Sequence, residues 1–422
     1  MKFHMLSNCG EGCGLLKRIQ DEGNECTIHI VDKDYANTFD GILEKSVDAP
    51  EKAIIIVDSS GLGKEADKLR KRGFKVFGGS VFSDRLEQER DFGLSYMQNH
   101  GIRTPDTKVF RTFGEALDWV KADKSDNNYV FKPNGEHLPC HLTYCSTDKE
   151  DLISYLRFVQ RHFTHEIEDF VLQAFVEGPI VSTEFWVGPY GFIHPANHTV
   201  EVKKFLNDDL GPSTGCQGNL VWVAEDDEVV NLMENLENNL VEEHFVGCID
   251  LNAILSDDGV RGLEWTPRFG LDAMPTLLAL IDGEIGKLIA DITTGQTKTM
   301  ELLDMTAGGI RISIPPYPIE PVNLKTLLKE SPNIDVPIRD LDEDYTYFYE
   351  VMKRDGELVH SSGTGAIAVV VDTNEDFEEV LELPYEILEK CRVPDKQYRT
   401  DLKEKLPEMA EEACEALENV RA

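Results

Sequence analysis

The sequence predicts a multidomain protein of mixed α/β and α+β class, and three observations carry that prediction. At 422 residues the chain is too long for one compact core, so two to four domains are expected. Residues 1–80 alternate strand and helix patterns, the rhythm of a parallel sheet covered by helices. From 180 to 270 the pattern turns to β, and a mixed segment closes the chain. The divisions expected are 1–105, 106–187, 188–308 and 309–422.

Lys2–Ser7 and Cys26–Val31 read as strands flanking a helix at Gly14–Glu22. Lys52–Val57 is a buried-type strand, Lys64–Arg72 a charged helix and Lys75–Phe77 a further strand. A helix over 84–100 is ended by Gly101, with Pro105 shortly after. Helix 113–122, strand Tyr129–Lys132, helix 148–162 and strand Phe170–Phe175 follow. Strands are then expected at Val181–Val187, Gly191–His194, Leu220–Val223, Cys248–Leu255 and Gly262–Trp265, with a helix near 227–244. Residues 305–318, rich in proline and glycine, read as a loop. Strand Ala366–Val371, helix 375–391 and an acidic helix 402–420 complete the pattern.

The balance of 42 basic against 78 acidic residues, net −36, repels nucleic-acid backbones and points to small-molecule or protein partners. No run of eighteen apolar residues exists, and the N-terminus lacks a signal-peptide pattern, so no membrane partner and a cytoplasmic location are expected. The nine cysteines form no CxxC pair, so reduced thiols are expected.

Two glycine-bearing segments carry the chemistry. In the first, Lys203 to Gly218, glycines at 211, 215 and 218 with Pro212 describe a loop that offers backbone N–H groups to a ligand, not a central strand. In the second, Gly262-Leu263-Glu264-Trp265-Thr266-Pro267-Arg268-Phe269-Gly270, an apolar strand ends in a carboxylate and an arginine. A third turn, Ser7 to Gly14, joins a strand to a helix, where a phosphate could sit on backbone N–H groups. It lacks GxGxxG spacing, and a plain tight turn remains an equal reading.

The first two segments resemble the GPNTGGMG and IEFNxRFGDPE signatures of glycinamide ribonucleotide synthetase (phosphoribosylamine–glycine ligase), a family of ATP-grasp ligases. Arg72–Gly79 looks like its GxKxFGP, Leu86-Glu87 with Ile102–Pro105 like its LExSK…xIPT, and Tyr129–Gly135 like its VIKxDG. Val171–Gly178 looks like its VIEEFLxG and Arg399–Leu402 like its RxDIG. The resemblance implies an ATP-grasp fold behind an N-terminal Rossmann-like sheet, with a C-terminal mixed α/β domain. It implies ATP-dependent amide formation through an acyl phosphate, with ATP and Mg²⁺ (or Mn²⁺), a glycine-like carboxylate and an amine, in a monomer or homodimer.

By the same resemblance Lys132 and Arg90 contact phosphates, and Lys132 and Arg268 are catalytic. Gln173, Ala174 and Val176 form the adenine hinge, and Glu184 reaches the nucleotide or a metal. Glu264 and Asp250 bind metal from adjacent strands joined by the hairpin turn Ser256–Gly259. Gly10, Asp58, Asp209, Gly211, Pro212, Thr214, Gly215, Arg268 and Gly270 line the substrates.

Four departures stand out. The glycine-rich loop after the lysine becomes Glu136–Leu142, without glycine. Thr266 replaces a metal-binding asparagine, and the GDPE tail leaves only a displaced Asp272. On the amine side Glu11 stands where an arginine is expected, and a proline-rich motif becomes Ile56–Ser60. These changes keep open a related ligase making a modified nucleotide or another amide, and a non-catalytic nucleotide-binding relative. His137, Cys140, His141 and Cys145 fit no standard zinc spacing and read as a covering loop, and Pro195 keeps His194 and His198 off one helix face.

Overall fold

Three apolar runs four to six residues long, joined by two shorter strands, assemble first into a five-stranded parallel sheet. In the computed structural model, which describes residues 1–125, 127–134, 142–165, 167, 169–318 and 333–420, its order is β3-β2-β1-β4-β5. The strands are β1 (Lys2–Ser7), β2 (Glu25–Ile30), β3 (Glu44–Lys45), β4 (Ile54–Val57) and β5 (Lys75–Phe77). Helices α1 (Cys13–Asp21) and α2 (Gly63–Lys71) connect them. The strand predictions here hold within one or two residues.

The helix expected over 84–100 is two, α3 (Val81–Gln88) and α4 (Arg90–Asn99), because Glu89 leaves helical geometry (φ −94, ψ 87). A four-stranded antiparallel sheet follows, ordered β6-β9-β7-β8: β6 (Thr107–Phe110), β7 (Tyr129–Pro133), β8 (Tyr144–Cys145) and β9 (Phe170–Ala174). Helices α5 (Phe113–Ala122) and α6 (Lys149–Phe163) cover it around stacked Phe113, Phe131 and Phe170.

The third sheet has eight antiparallel strands. They are β10 (Ile180–Gly188), β11 (Gly191–Lys204), β12 (Ser213–Val223), β13 (Gly247–Ser256), β14 (Gly259–Thr266), β15 (Thr306–Ser313), β16 (Thr346–Phe348) and β19 (Ala366–Asn374). Their order is β14-β13-β10-β11-β12-β15-β19-β16. This sheet takes β10 from the 106–187 segment and strands from both sides of the 308/309 division. Helices α7 (Glu228–Glu234), α8 (Glu237–Glu242), α9 (Ala273–Leu280), α10 (Ile285–Thr294), α11 (Glu382–Lys390) and α12 (Leu402–Val420) surround it, and β17 (Val351–Arg354) pairs with β18 (Glu357–His360). Among the described residues no helix is long and apolar enough to cross a membrane.

Five further expectations are corrected here. Strand β11 does not stop at His194; it runs through Pro195, which falls where the β10–β11 register shifts between Glu184 and Trp186, so no regular ladder donor is required of it. Only Gly211 (φ +77) and Pro212 form the glycine turn, while Thr214 to Gly218 lie in β12, between β11 and β15. A glycine is tolerated at 218 because neighbours press in: a Cβ there would meet Leu402 Cδ1 at 2.5 Å and Gly309 O at 3.1 Å. The loop expected over 305–318 contains β15, buried along its whole length. Likewise 227–244 holds two short helices, and the helix expected over 375–391 begins only at Glu382.

Candidate functional site

Antiparallel pairing puts directly opposed residues on one face of a sheet. Two such rows build the site. Asn197, Glu184, Asp250 and Thr266 are opposed across β11, β10, β13 and β14. In the next row stand Thr199, Ser182, Asn252 and Glu264. The hairpin reading of Asp250 and Glu264 therefore places both carboxylates on the same face. Further along β11, Glu201 and Lys203 continue it, 3.6 Å apart. Neither was anticipated, although the alternation in Thr199-Val200-Glu201-Val202-Lys203 is a strand signal legible in the sequence.

The face is polar and partly sealed. Glu184 and Asp250 are 7% and 8% exposed. Trp186 Nε1 donates to Glu184 Oε1 at 2.9 Å, and Asn252 Nδ2 donates to Asp250 Oδ1 at 2.8 Å. Burial raises the Glu184 carboxyl to about 7 against that bond. Burial, then Glu184 and Glu201, push Asp250 well above the carboxylate range, with Lys203 opposing. Glu264 behaves oppositely: burial raises it, but Lys132, Lys203, Arg90 and Arg268 together outweigh burial and hold it low. Lys203 is raised by its carboxylate neighbours Glu201 and Glu264 in spite of burial.

The four-stranded sheet presents Lys132 from β7 toward Glu264. Burial lowers its ammonium, Glu264 opposes, and Arg90 and Lys203 add to the lowering. Arg90, first residue of α4, donates from Nε to Asn134 Oδ1 at 3.0 Å just past β7, and Asn134 in turn bonds Asp169. Arg268 donates through Nε and Nη2 to Glu87 Oε1 at 3.1 and 2.9 Å. Sequence reasoning gave Glu87 no role, yet its Oε2 is buried without a hydrogen-bond partner. A cavity of about 140 Å³ lies there, lined by Glu87, Arg90, Met97, Glu264, Thr266 and Arg268. That is below the roughly 300–1,000 Å³ of drug-sized ligand sites, so it has the size of a small acid rather than of a nucleotide.

The donor set suits a hard divalent cation. It is oxygen-only, and the Asn197 Oδ1 acceptor in the row with Glu184 and Asp250 is buried without a partner. Among the described residues no three His, Cys, Asp or Glu side chains converge on one point. Glu264 and Asp250 would therefore supply one or two carboxylates, with phosphate oxygens and water completing the shell, as Mg²⁺ commonly accepts.

Other candidates are placed differently. In the hinge, the Ala174 N–H donates to Asp106 O and the Phe175 N–H to Asn128 O, both at 2.8 Å. The Val176 N–H has no partner among the described residues, and the Gln173 side chain donates to Thr107 Oγ1 at 3.1 Å. Asp209 is engaged by Arg399 and Lys405 at 2.9 and 2.7 Å, which ties the β11–β12 turn to the start of α12. Thr214 donates to Lys203 O at 2.8 Å. Gly215 faces open space, Gly211 and Pro212 are exposed, and the Gly270 carbonyl accepts from Met274 as α9 begins. Asp272 is withdrawn from any substrate: it is 2% exposed and paired with Arg311 and Tyr349. Gly10 and Asp58 shape the β1–α1 turn. Residues 135–141, with most of the altered glycine loop and His137, Cys140 and His141, lie outside the described residues.

No protein-family model matches the chain. It is similar to the phosphoribosylamine–glycine ligase of Lactococcus lactis subsp. lactis, 28% identical over 348 residues, covering 80% of this chain and 79% of that protein. Among solved structures it superposes on phosphoribosylamine–glycine ligase from Thermotoga maritima with a TM-score of 0.73 at 20% identity, covering 95% of this chain and all of that one. The biotin carboxylase domain of Hydrogenobacter thermophilus 2-oxoglutarate carboxylase, solved with MgADP and bicarbonate, gives 0.64 at 12% identity, covering 98% of each chain. The architecture shared with these structures is the ATP-grasp fold.

Proposed function

We propose that this chain, a diverged relative of the phosphoribosylamine–glycine ligases with the ATP-grasp fold, joins a small carboxylate to an amine at the expense of ATP. The observation that carries this reading is the charge arrangement: Glu264 is held anionic between Lys132 and Lys203, on the face that also bears Asp250. A triphosphate between the two sheets would meet Lys132 and Lys203 along one side. Mg²⁺, bound by Glu264 and Asp250, would neutralise charge on the transferring phosphoryl group.

The chemistry balances with little covalent help from protein. A carboxylate oxygen attacks the γ-phosphorus, the bond to the bridging oxygen breaks, and ADP leaves. The amine lone pair then attacks the acyl carbon, the carbon–oxygen bond to phosphate breaks, and phosphate leaves while the amine gives up a proton. Arg268, fixed by Glu87, lines the small cavity and would orient the acid. We place the chain among cytoplasmic enzymes of small-molecule metabolism.

Hydroxylamine tests this without knowledge of the amine, because it captures acyl phosphates as hydroxamates. Glycine and other small acids with MgATP should give acid-dependent hydroxamate and equal ADP. No hydroxamate and no ADP with any acid would refute the ligase reading.

A further inference from the structure

The cavity beside Arg268 has two unlike ends, and their order follows from how α4 lies on β14. Arg90, Leu94 and Met97 are spaced at i, i+4 and i+7, so they share one face of α4. At 1.5 Å per residue that face spans about 10 Å. It runs against the direction of the strand. At one end Met97 presses on Gly262, where a Cβ would meet its Sδ at 2.7 Å. Midway, Trp265 Nε1 donates to Gly93 O at 3.2 Å. At the other end Arg90 comes close enough to Glu264 to help hold that carboxylate anionic. The lining therefore passes from Arg90, Thr266 and Arg268 to Leu94, Met97 and Leu263.

The second end is apolar and closed. Met97 is fully buried and Leu86 nearly so, whereas Leu94 and Leu263 are half-buried. The indole N–H is spent on Gly93 O, so the side chains at that end offer a ligand no hydrogen bond. An ammonium or hydroxyl carried into it would lose its water without gaining a side-chain partner. An aliphatic group would gain by leaving water. Volume sets its length. An apolar cavity of about 150 Å³ holds benzene, with its six carbons. At about 140 Å³ this one has room for a carboxyl group and roughly three or four further heavy atoms.

A separate observation concerns Glu87 at the charged end. Both bonds from Arg268 go to its Oε1, and Arg268 Nη1 donates to Phe269 O at 2.9 Å. Oε2 is shut off from solvent and has no hydrogen-bond partner. A buried carboxylate oxygen left bare calls for a donor. An amino group next to the substrate's carboxyl would be such a donor.

We propose that the acid taken by this site is an α-amino acid with a short aliphatic side chain, of alanine or 2-aminobutyrate size, and that Leu94, Met97 and Leu263 select it. Its carboxylate would lie by Arg268, its amino group toward Glu87, and its side chain between α4 and β14. This rests on the ligase reading for its chemistry, but the binding it requires can be measured without turnover.

The test is calorimetry on the whole chain with glycine, serine and 2-aminobutyrate, each with Mg²⁺ and a non-hydrolysable ATP analogue present. 2-Aminobutyrate should bind at least about tenfold tighter than glycine. It should also beat serine, which has the same size with a hydroxyl in place of the methyl, by about tenfold or more. Leu94→Trp fills the closed end from a half-buried position and should bring the ratio of 2-aminobutyrate to glycine affinity to about one, with the parent's unfolding midpoint retained. Leu263→Trp is the second filling variant, used if the first fails to fold. Glycine bound as tightly as 2-aminobutyrate, or a ratio unchanged in the folded filling variant, overturns the proposal. So does absent 2-aminobutyrate binding. The hydroxamate assay separates the two readings. Hydroxamate formed from glycine in preference to 2-aminobutyrate sinks only the side-chain pocket; selective 2-aminobutyrate binding without hydroxamate from any acid sinks only the ligase.

Discussion

Removing the Arg311 guanidinium should cost the fold about 3–5 kcal/mol, the usual penalty for breaking a buried ion pair from one side. Arg311 in β15 and Asp272 at the start of α9 are 3% and 2% exposed. The guanidinium donates through Nε to Asp272 Oδ2 at 3.0 Å and through Nη2 to Oδ1. The Tyr349 hydroxyl donates to Asp272 Oδ1 at 2.8 Å, and its ring centroid lies 5.0 Å from the guanidinium carbon. Arg311→Met keeps the apolar stem but leaves a buried carboxylate with one phenol donor. Asp272→Leu leaves the opposite charge stranded. The double variant removes both charges and should lie within about 1 kcal/mol of the parent, since apolar replacement of a whole buried pair is often neutral. Urea unfolding of all four proteins at pH 7 gives the cycle, with an expected coupling of about 5 kcal/mol or more, since the double variant recovers nearly all of two single losses of about 3–5 kcal/mol. Additive single effects, or an Arg311→Met loss under 1 kcal/mol, would refute the view that this pair fastens α9 to the large sheet.

Three further outcomes follow from the site and the core. Glu264→Gln should raise the Mg²⁺ needed for half-maximal ADP release about 10–100-fold, read by metal titration at saturating ATP. Lys132→Met removes a positive charge at the triphosphate and should lower kcat about 10²–10³-fold in the hydroxamate assay, with the unfolding midpoint retained. His4 is held neutral to about pH 4 by burial, with His29 adding to the effect, and its Nδ1 pairs with Thr27 Oγ1 at 2.8 Å. Its folded pKa lies below the unfolded 6.5, so the unfolded chain binds the proton first as pH falls. Stability should drop by about 3 kcal/mol between pH 6.5 and 4, at about 1.4 kcal/mol per pH unit. A His4→Leu variant should lose that part of the slope in urea titrations.

Much of the fold was legible because apolar runs and charged helices alternate at β1, β2, β4 and β5, whereas β3, only Glu44–Lys45, carries no apolar signal. The placement of Asp250 and Glu264 on one face of adjacent strands was legible because a polar Asp-Asp-Gly turn fixes their hairpin. What stayed hidden has physical causes. Glycines at 215 and 218 suggest a loop, but Gly218 is set by the close approach of Leu402 and Gly309, a tertiary fact. Thr306–Ser313 mixes glycines with a buried arginine, and only the distant Asp272 makes Arg311 tolerable inside a sheet. The helix α9, Ala-Met-Pro-Thr-Leu-Leu-Ala-Leu, is apolar nearly all round and carries no helical stripe. Pro195 concealed the second half of β11, and with it Glu201 and Lys203.

A triphosphate and its divalent ion should lie between Lys132 and the carboxylate face of the large sheet. A crystal grown with Mg²⁺ and a non-hydrolysable ATP analogue measures this directly. Phosphate oxygens within hydrogen-bonding reach of Lys132 and Lys203, with Mg²⁺ on Glu264, is the predicted result. A nucleotide bound elsewhere, or an empty cleft at saturating analogue, would contradict it.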